Sequence, residues 1–151
     1  MSNIDQLILY RMMKSDSNGR PALPTSPTDR DCLSVRYKHV SKQSESRPKV
    51  DVYIDDNGIV TVKHQGKYQG LSLTIPPVTN IPPFMLDPVR GLVRYTINRT
   101  FFDRHGHLMY IEDSAVHAMI VPRYDMPIND FNRFLADTAP LWGVDDDDEK
   151  N

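Results

Sequence analysis

The chain has 151 residues, of which 39% are hydrophobic and 25% charged, with a net charge of −2 at pH 7. This length suits one domain with a substantial buried core. Residues 145–151 carry five acidic residues and one lysine, so the rest of the chain has 17 basic and 15 acidic side chains. A nearly neutral body with an acidic tail excludes a strongly basic nucleic-acid-binding domain.

The sequence also limits the compartment. The only cysteine, Cys32, cannot form a disulfide framework within the chain, which favours a reducing environment. Residues 1–15 lack the basic start and the cleavage site of a signal peptide. No apolar run approaches the 18 residues that a membrane-spanning helix needs. We therefore expect a cytoplasmic or virion protein that is not secreted through a signal peptide and has no contact with a membrane.

The N-terminal third predicts one helix and one extended arm. Over residues 3–13, Ile4, Leu7, Ile8 and Met12 recur at the 3.6-residue period of an amphipathic helix. Residues 15–31 then carry three prolines at a spacing of three, which favours extended backbone. These prolines, Pro21, Pro24 and Pro27, are candidate contacts to a partner.

From residue 33 the hydrophobic period changes to two, which predicts strands at 33–38, 50–54, 59–64 and 71–75. The Asn57-Gly58 pair predicts a type I′ hairpin turn between the second and third of these strands. Five prolines in residues 76–88 should break the sheet, because proline donates no ladder hydrogen bond. This connection would divide a first β unit (33–75) from a second one (90–121).

The second unit predicts an alternating strand around residues 93–97 and further strands at residues 107–112 and 116–121, with a hairpin turn at residues 103–106. A C-terminal helix follows. Pro127 suits its first position, Ile128, Phe131 and Leu135 share one face, and Pro140 ends it. The five consecutive acidic residues that begin at Asp145 repel one another and form a tail that increases the chain's solubility. The predicted organisation is one domain, residues 1–144, with a tail at 145–151.

These patterns together predict an α+β fold. A mainly antiparallel β-sheet or small barrel of six to eight strands covers about residues 33–121, with an N-terminal and a C-terminal helix on either side, Pro-rich extended arms and an acidic C-terminal tail. The predicted core consists of Leu33, Val35, Val50, Val52, Ile54, Val60, Val62, Leu71, Leu73, Val93, Tyr95, Ile97, Leu108, Tyr110, Val116, Ile120 and Phe131.

No pattern for catalysis or metal binding is strong. His105 and His107 flank Gly106, and His117 lies nearby, but no fixed ligand spacing is met, so solvent-facing turn histidines are expected. Cys32 has no neighbouring base that would activate its thiol. We therefore predict no catalytic residue, no metal, no cofactor and no enzymatic activity.

Basic and aromatic residues alternate along the predicted strands, as in proteins that bind single-stranded nucleic acid. The candidate residues for such binding are Arg36, Lys63, Arg94 and Arg99. The acidic tail would then compete with nucleic acid for this surface and inhibit the chain's own binding. Strand alternation also explains the pattern, with aromatic side chains in the core and basic side chains in solvent. Nucleic-acid binding is therefore the alternative function.

The favoured function is a non-enzymatic structural or interaction subunit. A short helix, two proline-rich segments and a charged tail around a β core are typical of chains that reach across to neighbouring subunits. Its most concrete form is a small virus or bacteriophage particle component of the decoration, connector or tail-completion type. A small antagonist of a host nucleic-acid-acting protein is a variant. The partners would be other protein subunits, in a homo-oligomer or a larger assembly, and nucleic acid is not the favoured partner. The candidate contacts are the prolines named above and Asp145, Asp146, Asp147 and Asp148.

Overall fold

The fold is taken from a computed structural model that describes residues 8–21, 33, 35–40 and 50–145. These residues form twelve strands and one α-helix. The elements in chain order are β1 (Ile8–Met13), β2 (Tyr37–His39), β3 (Val52–Ile54), β4 (Ile59–Val60), β5 (Lys63–His64), β6 (Lys67–Tyr68), β7 (Leu71–Thr74), β8 (Val93–Asn98), β9 (Leu108–Glu112), β10 (His117–Pro122), β11 (Met126–Pro127), α1 (Ile128–Asp137) and β12 (Gly143–Val144).

Six strands form the larger sheet, in the order β12-β8-β1-β7-β10-β9, and every neighbouring pair in it is antiparallel. A smaller sheet has the order β11-β4-β3-β2, and its β2–β3 pair is parallel. Strands β5 and β6 form a separate hairpin. The prediction of a mainly antiparallel, sheet-rich fold is confirmed, although the strands form two sheets and a hairpin.

One face of the larger sheet forms the core, because side chains alternate between the two faces of each strand. Register pairs such as Leu9 with Ile97 and Ala118 with Leu73 place apolar side chains side by side on this face. Both residues of each pair are buried. The opposite face, which we call the outer face, carries half-buried residues such as Tyr10, Met12 and Met119.

Most of the predicted core residues are buried. The buried ones are Leu33, Val35, Val52, Ile54, Val60, Leu71, Leu73, Tyr95, Ile97, Leu108, Ile120 and Phe131. Val50, Val62, Val93 and Tyr110 are half-buried. The prediction for Val116 is wrong, since its side chain is 46% exposed. Val116 lies in the turn between β9 and β10, where the strand alternation has not yet begun.

The N-terminal helix is a correction. Residues 8–13 form strand β1, which pairs with β8 over its full length; residues 3–7 lie outside the described ranges. The segment is apolar on both sides: Leu9 and Met13 enter the core, while Ile8, Tyr10 and Met12 occupy the outer face. A continuous apolar run of this kind fits a helix and a buried strand equally well, and pairing with β8 decides between them.

The proline-rich segments are not extended arms where they are described. Residues 76–88 contain two short 3-10 helices, Val78–Asn80 and Pro83–Leu86, and begin a third, Pro88–Arg90. This connection does not divide two β units, because β7 before it and β8 after it belong to one sheet. Residues 15–21 form a tight loop closed by a bridge between Ser15 and Pro21, and residues 22–31 lie outside the described ranges.

Two predicted turns are different from the expectation. Gly58 has a φ of +76°, but Asn57 does not have positive φ, and the Gly58 amide donates to the Asp55 carbonyl at 3.0 Å. This is a type I turn followed by a left-handed glycine, which suits a three-residue hairpin loop. The predicted strand over residues 59–64 is divided into two short strands, β4 and β5.

The predicted hairpin turn at residues 103–106 joins strands that are not paired. Strand β8 is the second strand of the larger sheet and β9 is the sixth, so the chain crosses three intervening strands. Phe102, which precedes this connection, is buried at 1% exposure. A local turn would have kept β8 and β9 adjacent. Instead, the chain continues from the buried Phe102 to the far edge of the sheet.

The C-terminal helix is confirmed. Helix α1 buries Phe131 and Leu135, and its Asn132 accepts a hydrogen bond from the Tyr37 hydroxyl at 2.5 Å. Pro127 is its N-terminal cap residue, and the helix ends before Pro140. The indole of Trp142 donates to the Thr138 hydroxyl at 3.0 Å, which fixes the chain as it returns to the larger sheet.

Candidate functional site

An open groove of about 410 Å³ lies where β1 and β7 separate at the outer face of the larger sheet. Strands β1 and β7 form its floor, the proline-rich connection forms one wall, and the segments that flank β2 and β3 complete it. Its lining includes Tyr10, Met12, Arg36, Asp51, Ser72, Thr74, Asn80, Pro82, Phe84, Met85, Val116 and His117.

The groove exists because β1 and β7 are paired at one position only, Tyr10 with Thr74. By contrast, β1 pairs with β8 over six residues. Next to this single pair, the Arg11 guanidinium supplies hydrogen bonds where main-chain bonds between β1 and β7 would otherwise continue. Its Nη1 donates to the Ser72 carbonyl at 2.6 Å, and its Nε and Nη2 donate to the Leu33 carbonyl at 3.0 and 2.8 Å. This arginine satisfies two main-chain acceptors while the strands diverge.

The proline-rich connection raises an apolar ridge beside the groove. We define the ridge as Phe84, Leu86 and Val89, whose side chains are 42%, 45% and 91% exposed. Val89 is the most exposed of the large hydrophobic side chains in the described residues. Phe84 also lines the groove, so the two features are continuous. The only sequence signal for this surface is an apolar cluster among prolines, which has no strand or helix period.

The charged groups at the groove have polar partners within the chain, which for Arg11 include the two carbonyls described above. Arg36 holds Asp51 with two hydrogen bonds, Nε to Oδ2 and Nη2 to Oδ1, each 3.1 Å long. At the rim, the His117 Nδ1 lies 2.6 Å from Asp113 Oδ1. The lining is therefore mixed, with apolar side chains such as Met12 and Phe84 beside polar ones such as Thr74, and its charged groups are bonded within the chain.

The four candidate nucleic-acid-binding residues lie on separate elements, and three of them have carboxylate partners. Arg36 pairs with Asp51 at the groove, Arg94 on β8 pairs with Asp145 at 2.7 Å, and Arg99 pairs with Glu112 at 3.0 Å. Lys63 lies on the β5–β6 hairpin with its Nζ 4.7 Å from the centre of the Tyr68 ring. The predicted basic surface is therefore largely neutralised within the chain.

The candidate partner contacts are only partly described. Pro21 is buried in the bridge to Ser15, and Pro24, Pro27, Asp146, Asp147 and Asp148 lie outside the described ranges. Asp145 continues the sheet edge. Its amide donates to the Arg94 carbonyl at 2.9 Å, and its side chain is 7% exposed in the ion pair with Arg94. This residue belongs to the folded body as well as to the acidic run.

His105 and His107 were expected to face solvent, but both rings lie against Phe134 of α1. The His107 ring stacks on Phe134 with centroids 3.9 Å apart, and its Nδ1 lies 2.5 Å from the Tyr124 hydroxyl. His105 Nδ1 accepts hydrogen bonds from the amides of His107 and Leu108 at 3.0 and 2.9 Å. Across the described ranges, no three metal-ligating side chains converge on one point. This arrangement stabilises the start of β9.

Stability should fall as the pH drops, because His105 accepts hydrogen bonds in its neutral form. Partial burial lowers the pKa of His105 below its ordinary value of 6.5; the neighbouring His107 and Arg123 lower this pKa further, and Asp137 acts in the opposite direction. Between that lowered pKa and 6.5 the unfolded chain binds a proton that the folded chain does not. The stabilisation is therefore complete above 6.5 and is lost as the pH falls through the folded pKa.

Urea unfolding midpoints measured from about pH 7.5 to about pH 5 test this dependence. His105→Asn retains a side-chain oxygen acceptor without titrating, so its profile should be flatter than that of the wild type. Val89→Ala, which changes no titratable group at a position that is 91% exposed, should keep the wild-type slope. An unchanged slope in His105→Asn contradicts the assignment.

Comparison of the chain with protein-family models, with curated proteins and with solved structures gives no match. In the part of the chain that the structure describes, no helix is both long and apolar enough to cross a membrane. The interpretation of the groove therefore rests on its own geometry.

Proposed function

We propose that this chain is a non-enzymatic interaction subunit that binds another protein through the groove and the adjacent ridge. The observation that carries the proposal is the position of the ridge: three exposed apolar side chains within six residues, continuous with the groove. Clustered exposed apolar residues with a polar rim are typical of protein-binding surfaces, whereas isolated ones are ordinary.

The energetics favour the ridge as the centre of such an interface. Transfer of a valine or leucine side chain from water to an apolar site contributes about 1.5–3 kcal/mol. The 3-10 turns hold the ridge in place, because the Asp87 side chain accepts a hydrogen bond from the Val89 amide at 3.0 Å. The Arg90 guanidinium lies 4.8 Å from the centre of the Phe84 ring. A pre-ordered ridge loses less conformational entropy on binding than a flexible loop does.

The more specific form of the proposal is a component of a virus or bacteriophage particle, of the decoration, connector or tail-completion type, acting in the cytoplasm or in the virion. A small β-rich chain with an exposed apolar ridge supports it, since such components function through contacts with other subunits. An antagonist of a host nucleic-acid-acting protein would use the same surface toward a different partner.

Site-specific photo-crosslinking in the cells that produce the chain tests the proposal. A photoreactive phenylalanine at Leu86 or at Val89 is expected to give a discrete protein adduct. The same residue at Val144, which is 52% exposed on the edge strand β12 and does not line the groove, is the matched control and should give none. The purified adduct partner should then bind the wild-type chain and lose affinity for Val89→Asp. Equal adducts at all three positions, or none at the ridge, overturn the proposal.

Single-stranded nucleic-acid binding is the second candidate, and one observation supports it. On the β5–β6 hairpin, Lys63 and Lys67 form no ion pair with any described residue, and Tyr68 is 36% exposed next to them. His64 stacks on Tyr53 with centroids 4.2 Å apart. Oligonucleotide binding at physiological salt that weakens on replacement of both lysines by alanine would favour this function; its absence removes it.

A further inference from the structure

We infer that the partner of the groove and ridge is a second copy of this chain, related by a two-fold axis, with the ridge of each copy seated in the groove of the other. This inference rests on the proposed function, because it names the partner for the same surface. Three properties of the surface lead to it: its shape, its charge and its volume.

The shape is self-complementary. In a two-fold contact the same patch faces itself, so it must contain both a projection and a hollow, offset from each other. Here Leu86 and Val89 project, and the hollow beside them is lined by Tyr10, Met12 and Met85. Phe84 joins the two features, since it lines the groove and belongs to the ridge. The surface therefore contains both features that a two-fold contact requires.

The charges around the surface cancel locally. Among the arginine and aspartate side chains that line or border the groove and the ridge, bases and acids are equal in number: Arg11, Arg36 and Arg90 against Asp51, Asp87 and Asp113. A patch that meets itself brings like charges together unless it is balanced, and juxtaposed like charges cost several kcal/mol. The balance also leaves no surplus charge that would select an acidic or a basic partner.

The volume suits the ridge. The groove measures about 410 Å³, at the lower end of the roughly 300–1,000 Å³ that receive a compact apolar ligand. Leu86 and Val89 are small enough to enter it from a second copy. Met12 and Met85 supply thioether side chains that adapt to the shape of an incoming group. Each dimer would contain two such ridge-in-groove contacts.

Sedimentation velocity over a concentration series of the purified full chain tests the inference. The wild type is expected to dimerise. Val89→Asp removes the ridge contact at an almost fully exposed position and should weaken the dimer about 30-fold or more. Thr74→Arg, on the half-buried floor of the groove, should do the same, and Met85→Arg replaces it if that variant does not fold. Val144→Asp should leave the dimer unchanged.

The decisive measurement mixes Val89→Asp with Thr74→Arg. Each variant alone has two damaged contacts, but a mixed pair retains one intact ridge in one intact groove and sets an acid against an arginine in the other contact. The mixture should therefore recover a dimer that neither variant forms alone. A wild type that stays monomeric, or a mixture that recovers nothing, overturns the inference. If a ridge crosslink to a different protein is then found, the proposed function stands; if no ridge crosslink is found, it fails too.

Discussion

Replacement of Gly70 by alanine is expected to destabilise the fold by about 3 kcal/mol or more, the upper range for forced overpacking. Gly70 is buried immediately before β7. A Cβ atom added there would lie 2.1 Å from the Ile120 carbonyl oxygen and 3.0 Å from the Val121 Cα. These atoms are main chain in β10, so no flexible side chain can move aside and the two strands must separate.

Urea unfolding followed by circular dichroism measures this loss. Gly106→Ala is the matched control, because a Cβ atom there meets no heavy atom within 4 Å and the residue does not have positive φ. That variant should stay within about 0.5 kcal/mol of the wild type. Equal midpoints for the two alanine variants would mean that β7 and β10 are not in close contact at Gly70.

Arg11→Met is expected to have the second largest effect, a loss of about 2–4 kcal/mol. Methionine keeps the apolar stem but removes three charged hydrogen bonds to the carbonyls of Leu33 and Ser72. A hydrogen bond from a charged group contributes on the order of 1.5–3 kcal/mol, but these three share one guanidinium and two of them share one carbonyl, so their contributions do not add. Because Arg11 bridges the opening between β1 and β7, the same variant should also change the groove.

The control for this variant is Arg133→Met on α1. The Arg133 side chain is 63% exposed, and its contact with Asp130 spans 3.4 Å at the helix surface. An exposed pair of this kind contributes between zero and about 1 kcal/mol. If denaturant unfolding shows similar losses for both variants, Arg11 does not act as a bridge between the strands.

The sequence predicts the elements whose periodicity is clear. Strands around Val52, Leu73 and Tyr95 alternate apolar and polar side chains or half-buried ones, so one face of each must be buried. The helix at residues 128–137 has its apolar residues at three- and four-residue spacing. Most of the predicted core is buried for the same reason, because the period of a segment already states which side chains share a face.

The candidate site is different, since its residues carry no local signal. Phe84, Leu86 and Val89 lie among prolines without any period, and only the 3-10 turns place them together at the rim of the groove. In the sequence, the three arginines proposed to bind nucleic acid have the pattern of exposed basic residues. Their carboxylate partners are 13 to 51 residues away along the chain, so no local pattern reveals the pairing.

By itself the sequence determined that this is a sheet-rich chain with a C-terminal helix and an alternating apolar core. Only the tertiary structure decided that residues 8–13 are a central strand, that β8 and β9 are four strands apart, and that Arg11 holds the sheet open. The physical reason is the range of the interactions. The period of a segment shows which of its side chains share a face. Strand pairing joins residues that are distant in the sequence, and the hydrogen bond from Arg11 to the Ser72 carbonyl spans 61 positions.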